Sequence, residues 1–85
     1  MLSWHPDAWE QYIEWQMVDK SIVKRINELV KECMRTPFEG KGKPEMLRAN
    51  LSGYWSRRIT DEHRLVYRVE GNTLFIMRCK YHYSK

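Results

Sequence analysis

The 85-residue chain predicts an α+β fold: two N-terminal helices packed on one face of a twisted antiparallel sheet of three main strands, with a short extra strand at the start. Three observations predict it. The first third of the chain repeats apolar side chains at helical spacing. Residues 36–47 interrupt that rhythm with glycine and proline. The remainder is rich in β-branched and aromatic residues, in three runs divided by short polar segments.

Each element has its own grounds. "LSW" at 2–4 reads as the short first strand. Pro6 and Asp7 then open a helix along which Trp9, Tyr12, Ile13 and Gln16–Met17 recur at helical spacing, with Asp7 and Glu10 near its positive end. Asp19 suits the N-cap of a second helix. There Ile22, Val23, Ile26, Leu29, Val30 and Cys33 form a continuous apolar stripe, and Lys20, Lys24, Glu28, Lys31 and Glu32 form the wet face. Pro37 ends it. "TPFEGKGKPEML" is a loop or arm that contains Glu45. "GYWSRRI", "RLVYRV" and "TLFIMRCKYHY" are the three strands, and "TDEH" and "EGN" between them are short enough for hairpin turns.

Size and composition bound the rest. Eighty-five residues suit a single domain, 1–85, with one modest core. Hydrophobic residues at 42% and charged residues at 31% exclude a disordered chain. No apolar run approaches the roughly 20 residues that span a bilayer, and the N-terminus lacks the pattern of a secretion signal. Cys33 and Cys79 are the only cysteines and have no metal-ligand spacing, so both read as reduced thiols of a cytoplasmic protein. Charge is unevenly spread. Residues 1–34 carry four Lys/Arg against six Asp/Glu, and residues 35–85 carry eleven against five. A basic half of this kind suits a face that meets a polyanion.

Strand parity sorts the residues that carry chemistry. Arg57 and Arg58 are consecutive and must point to opposite faces. Arg64, Val66 and Arg68 share one face of their strand, with Leu65, Tyr67 and Val69 on the core side. Arg78, Lys80 and His82 share a parity in the last strand. A three-residue "EGN" loop places Arg64, Lys80 and His82 together on the open face. A two-residue turn sets His82 behind the sheet unless a bulge resets the register. His5, before a proline, and His63, in a hairpin turn, suit solvated positions. Glu45 is a carboxylate within the basic stretch "KGKPEMLR", where neighbouring cations favour its ionised form. No HxxxH, CxxC or carboxylate cluster appears, so neither metal nor organic cofactor is expected. The set Glu45, Arg64 and His82 suits metal-free cleavage of RNA. The 2′-hydroxyl supplies the nucleophile, and the protein supplies a base, an acid and a cation. Residue type leaves open whether Glu45 or His82 is the base.

"TPFEGKGKPE", then "NLSGYWSRRITDEHRLVYRV" and a terminal "YHY", resemble the YoeB toxins of the RelE superfamily. "DAWEQYIEWQ" and "DKSIVKRINELVKE" extend the resemblance through the helices, over nearly the whole chain. The resemblance implies a cytoplasmic toxin that cleaves messenger RNA in the ribosomal A site. It also implies partners: an acidic antitoxin of the YefM type, and the ribosome with its messenger RNA; whether the free toxin is a homodimer the sequence leaves open. It assigns catalytic roles to Glu45, Arg64 and His82, a supporting role to Tyr83, and RNA contacts to Arg48 and Arg58. Arg48 stands where the family has lysine, which keeps charge but changes shape. Ser84 and Lys85 extend past the tyrosine that often ends such chains. The rival readings are a ParE-type toxin, which poisons DNA gyrase and lacks nuclease residues, and a catalytically silent module that binds RNA or a partner.

Overall fold

The computed structural model describes residues 1–81. Strand β1 (Leu2–Trp4) leads into helices α1 (Pro6–Val18) and α2 (Lys20–Arg35). After a loop come β2 (Glu45–Met46), a 3₁₀ turn (Ala49–Leu51), β3 (Trp55–Arg58), β4 (Arg64–Glu70) and β5 (Thr73–Arg78). The five strands form one sheet in the order β1-β5-β4-β3-β2. The expected α+β architecture holds, but the sheet is mixed: β1 joins the edge parallel to β5, with Leu2, Ser3 and Trp4 opposite Leu74, Phe75 and Ile76. Glu45, expected in a loop or arm, lies in the two-residue strand β2 opposite Ser56.

Local chemistry sets the helix boundaries. His5 caps α1 by accepting the Asp7 N–H at 3.1 Å, and Pro6 occupies the first helical position, where no N–H is needed. Asp19 closes α1 and opens α2. Its own N–H binds the Trp15 carbonyl at 2.9 Å, and its carboxylate accepts from Ser21 N at 3.0 Å and Ser21 Oγ at 2.6 Å. These donors, the Ser21 hydroxyl foremost, hold the carboxyl below its usual range. The α2 stripe is buried as its spacing requires, through Ile22, Ile26, Leu29, Val30 and Cys33. The α1 stripe is not. Trp9, Ile13 and Met17 are exposed, and α1 buries Ala8 and Trp15 instead, because the sheet lies against that side.

Leu65 and Tyr67 of β4, Leu74 and Ile76 of β5, and Ile59 close the core beneath α2. The β4–β5 turn is the two-residue form: Glu70 pairs with Thr73 and Val69 with Leu74. That register turns Leu74 and Ile76, not Phe75, toward the helices. A bulge then intervenes, since Tyr67 pairs with Ile76 while Val66 pairs with Arg78, leaving Met77 as the extra residue. The bulge returns Cys79 to the core, fully buried. The last strand ends at Arg78, short of the expected run to 83. Lys80 is not on the open face. Its ammonium binds Glu14 of α1 at 2.7 Å, which holds it charged to higher pH than usual.

Candidate active site

The open sheet face carries a cleft of about 240 Å³ lined by Lys43, Pro44, Glu45, Ser56, Arg58 and Arg64. Its floor follows from strand pairing. Ser56 sits between Glu45 on β2 and Val66 on β4, and Arg58 lies directly opposite Arg64. Residues two apart on β3 share a face, so Ser56 and Arg58 look into the cleft while Arg57 looks into the core. Ser56 is almost fully buried at its base.

The wall that carries Glu45 is fixed from behind. Arg57 is completely buried and uses its guanidinium as a staple for the preceding loop. It donates to the carbonyls of Lys41 at 2.8 Å, Glu39 at 2.9 Å and Thr36, and to the Tyr67 hydroxyl at 3.1 Å. The Tyr67 hydroxyl in turn donates to the Pro37 carbonyl at 2.6 Å. Gly42 accepts the Arg58 N–H at 2.7 Å with φ at +84°. Lys43 follows at φ +52°, turning the chain into Pro44 and Glu45. Left-handed backbone at a non-glycine residue is costly and here lies at the rim of the cleft.

The opposite wall is arginine. Arg64 Nη1 donates to the carbonyls of Thr60 at 2.8 Å and Asp61 at 3.2 Å, which orients its guanidinium on the β3–β4 turn. Arg58 Nη1 lies 3.6 Å from the exposed Asp61 carboxylate, and the Arg58 carbonyl accepts from Arg25 of α2 at 3.2 Å. One carboxylate therefore shares a cleft with Lys43, Arg58 and Arg64. Such a set can hold a phosphodiester on its cations and offer a basic oxygen beside it.

Of the residues singled out by sequence, the cleft unites Glu45, Arg58 and Arg64. Arg48 is exposed at the entry of the 3₁₀ turn and outside the cleft lining. His82 and Tyr83 lie outside the described residues. Sequence reasoning missed Lys43, Ser56 and His63. Ser56 was within reach, because it shares the parity of Arg58. His63 occupies the expected turn but is buried, stacked edge-on to Trp15 with ring centres 4.8 Å apart. Among the described residues, no group of three or more His, Cys, Asp or Glu is arranged to hold a metal ion, and no helix is long and apolar enough to cross a membrane.

Fold and cleft define a small α+β protein whose uncovered sheet face carries a cation-walled pocket around one carboxylate. Residues 4–83 match the family model described as YoeB-like toxin of bacterial type II toxin-antitoxin systems. Toxin YoeB of Escherichia coli K12 is 62% identical over 82 residues, covering 96% of this chain and 98% of the relative. A YoeB/ParE toxin structure from Agrobacterium tumefaciens superposes with a TM-score of 0.94 at 49% identity, covering 96% of this chain and 98% of that one. A heterotetrameric YoeB-YefM toxin-antitoxin complex from Staphylococcus aureus contains a chain with a TM-score of 0.90 and 52% identity, covering 98% and 97%. The chain belongs to the YoeB-like toxin family of bacterial type II toxin–antitoxin systems.

Proposed function

We propose that this toxin is a cytoplasmic, ribosome-dependent endoribonuclease that cuts messenger RNA in the ribosomal A site and is held inactive by an acidic antitoxin of the YefM type. The observation that carries this reading is the Glu45 carboxylate sharing one cleft with Arg58 and Arg64. The 2′-hydroxyl attacks the adjacent phosphorus, so the new O2′–P bond forms as the P–O5′ bond breaks. A base takes the 2′-hydroxyl proton, and an acid returns a proton to the leaving 5′-oxygen. Glu45 and His82 fill these two roles, each worth typically about 10²–10⁴ in rate. Arg64 neutralises the charge that builds on the phosphoryl oxygens. Arg58 and Arg48 hold flanking phosphates, and Tyr83 supports the terminal histidine. The nucleophile is intramolecular, so proximity supplies much of the acceleration and no metal-bound water is required. The products are a 2′,3′-cyclic phosphate, or the 3′-phosphate from its hydrolysis, and a 5′-hydroxyl.

The test uses intact ribosomes programmed with a message that carries a single 2′-deoxy sugar at the cut site. Wild-type protein is expected to cut the ribose message and leave the deoxy bond intact. Efficient cutting at the deoxy bond, or a 5′-phosphate product, overturns the mechanism. Growth arrest with continued translation and a DNA-damage response would instead favour the gyrase-poisoning class.

A further inference from the structure

Beyond β5 the chain passes through Cys79, Lys80 and Tyr81, and residue 82 follows directly. Four side chains grip these three residues. Gln11 Oε1 accepts the Cys79 N–H at 2.8 Å, and the Trp15 indole N–H donates to the Cys79 carbonyl at 2.9 Å. Glu14 binds the Lys80 ammonium at 2.7 Å. His63 Nδ1 accepts the Tyr81 N–H at 2.8 Å. The backbone adds one more bond, from Arg64 N–H to the Tyr81 carbonyl at 3.1 Å. Tyr81 itself sits at φ +62°, a conformation that an L-residue adopts only when its surroundings hold it there.

His63 is the centre of this grip. It is 8% exposed, and its ring packs edge-on against Trp15. Because Nδ1 accepts from Tyr81, the ring proton belongs on Nε2, which lies 3.6 Å from the Glu62 carboxylate. The Thr60 hydroxyl oxygen accepts the N–H groups of Glu62 at 3.2 Å and His63 at 3.1 Å, which fixes the turn. The next residue along the chain is Arg64, whose guanidinium rests on the carbonyls of the same turn. One short turn therefore orients the cleft arginine and holds the backbone that leads to the terminal histidine.

We infer that His63 is a positioning residue: with Trp15 and Gln11 it fixes residues 79–81, whose Tyr81 carbonyl accepts the Arg64 N–H, and so sets the backbone shared by the cleft arginine and the chain that leads to the acid–base histidine. The inference rests on the nuclease reading above. His63 acts through the Tyr81 backbone and needs no contact with RNA.

The experiment compares His63→Phe with His63→Asn in the full chain. Phenylalanine keeps an aromatic ring against Trp15 and removes the acceptor. Asparagine returns an acceptor oxygen near the place of Nδ1. Two readouts are taken: hydrogen exchange at the Tyr81 amide, and kcat and KM for message on programmed ribosomes. The Phe variant is expected to lose Tyr81 protection and to lose about 10²-fold in kcat, the scale of a 1 Å misplacement, with KM within about twofold. The Asn variant should recover most of both. If Phe lacks a cooperative melt, Trp15→Phe takes its place, removing the indole donor to Cys79 with the same expected pattern. Wild-type kcat in the Phe variant overturns the inference, and so does equal loss in Phe and Asn with Tyr81 protected in both. A wild-type protein that leaves the message uncut removes the nuclease reading instead; unchanged Tyr81 exchange in the Phe variant would then dispose of the tether separately.

Discussion

Arg58 and Arg64 face each other across β3 and β4, although like charges in directly opposed positions disfavour a sheet pair. Their heads are drawn toward the β3–β4 turn, Arg64 onto the carbonyls of Thr60 and Asp61 and Arg58 toward the Asp61 carboxylate. A phosphate between the two would relieve the repulsion that remains. Arg64→Lys keeps the charge but loses the planar fork that rests on those carbonyls while presenting further N–H groups. We expect this variant to lose about 10²–10³ in cleavage rate with an unchanged melting temperature. Cleavage within about twofold of wild type would make Arg64 an ordinary surface charge.

At the scale of elements, the loop between α2 and β2 holds Glu45 at the cleft, and its position depends on one glycine. A Cβ on Gly42 would lie 2.9 Å from Leu29 Cδ2 and 3.1 Å from Arg57 Cβ, on a backbone at φ +84°. Neither neighbour can retreat, since Leu29 and Arg57 are both fully buried. Gly42→Ala should therefore cost about 1–2 kcal/mol in a urea titration and reduce cleavage beyond that loss by displacing Glu45. Wild-type stability in this variant would show that the loop is not bound to the core as described. The helix junction gives an acid-side test. The Asp19 carboxyl is held below its usual range by Ser21 and Ile22, so its stabilising effect is present above the ordinary pKa of 3.8. That effect is lost as pH falls through the lower folded value. Asp19→Asn should flatten the fall in stability below pH about 4. An unchanged acid limb would mean that the cap contributes nothing through its charge.

Over the whole molecule, the two cysteines report on the core. Burial pushes the Cys33 thiol up from 9.0 to about 11 and the Cys79 thiol up to about 12. Burial likewise raises the Tyr67 hydroxyl. Each folded-state group keeps its proton to higher pH than the unfolded chain does. The folded protein then holds more protons above pH 9, and stability falls as pH rises from there. Each thiol contributes a slope of about 1.4 kcal/mol per pH unit between its two values. Lys80 acts in the same direction, since its bond to Glu14 stabilises the fold below the ordinary 10.5 and is lost above it. Urea midpoints should accordingly fall steeply between pH 9 and 11, and Cys33→Ala should make that fall shallower even if the variant is less stable at pH 7. A flat alkaline limb would place the thiols in water.

The sequence alone determined what depends on local period and local chemistry. The α2 stripe, the Asp19 cap and the three main strands follow from side-chain spacing. So does the placement of Arg57 and Arg58 on opposite faces, although the burial of Arg57 in the core is what assigns Arg58 to the cleft. Residue type made Glu45, Arg64 and His82 suit metal-free RNA cleavage, and resemblance assigned them catalytic roles in a ribosome-dependent toxin. Only the tertiary structure decided the pairings. β1 and β2 are three and two residues long, too short to show a period, and each is defined only by the strand it pairs with, β5 at the far end of the chain for β1 and β3 for β2. The bulge at Met77 is one inserted residue, which strand parity cannot detect. His63 looked like a turn residue because burial comes from Trp15, 48 positions earlier, and its hydrogen bond from Tyr81, 18 positions later. Spacing reads what a residue shares with near neighbours. A site assembled from separate strands and a helix is set by core packing, which brings those segments together only once the chain has folded.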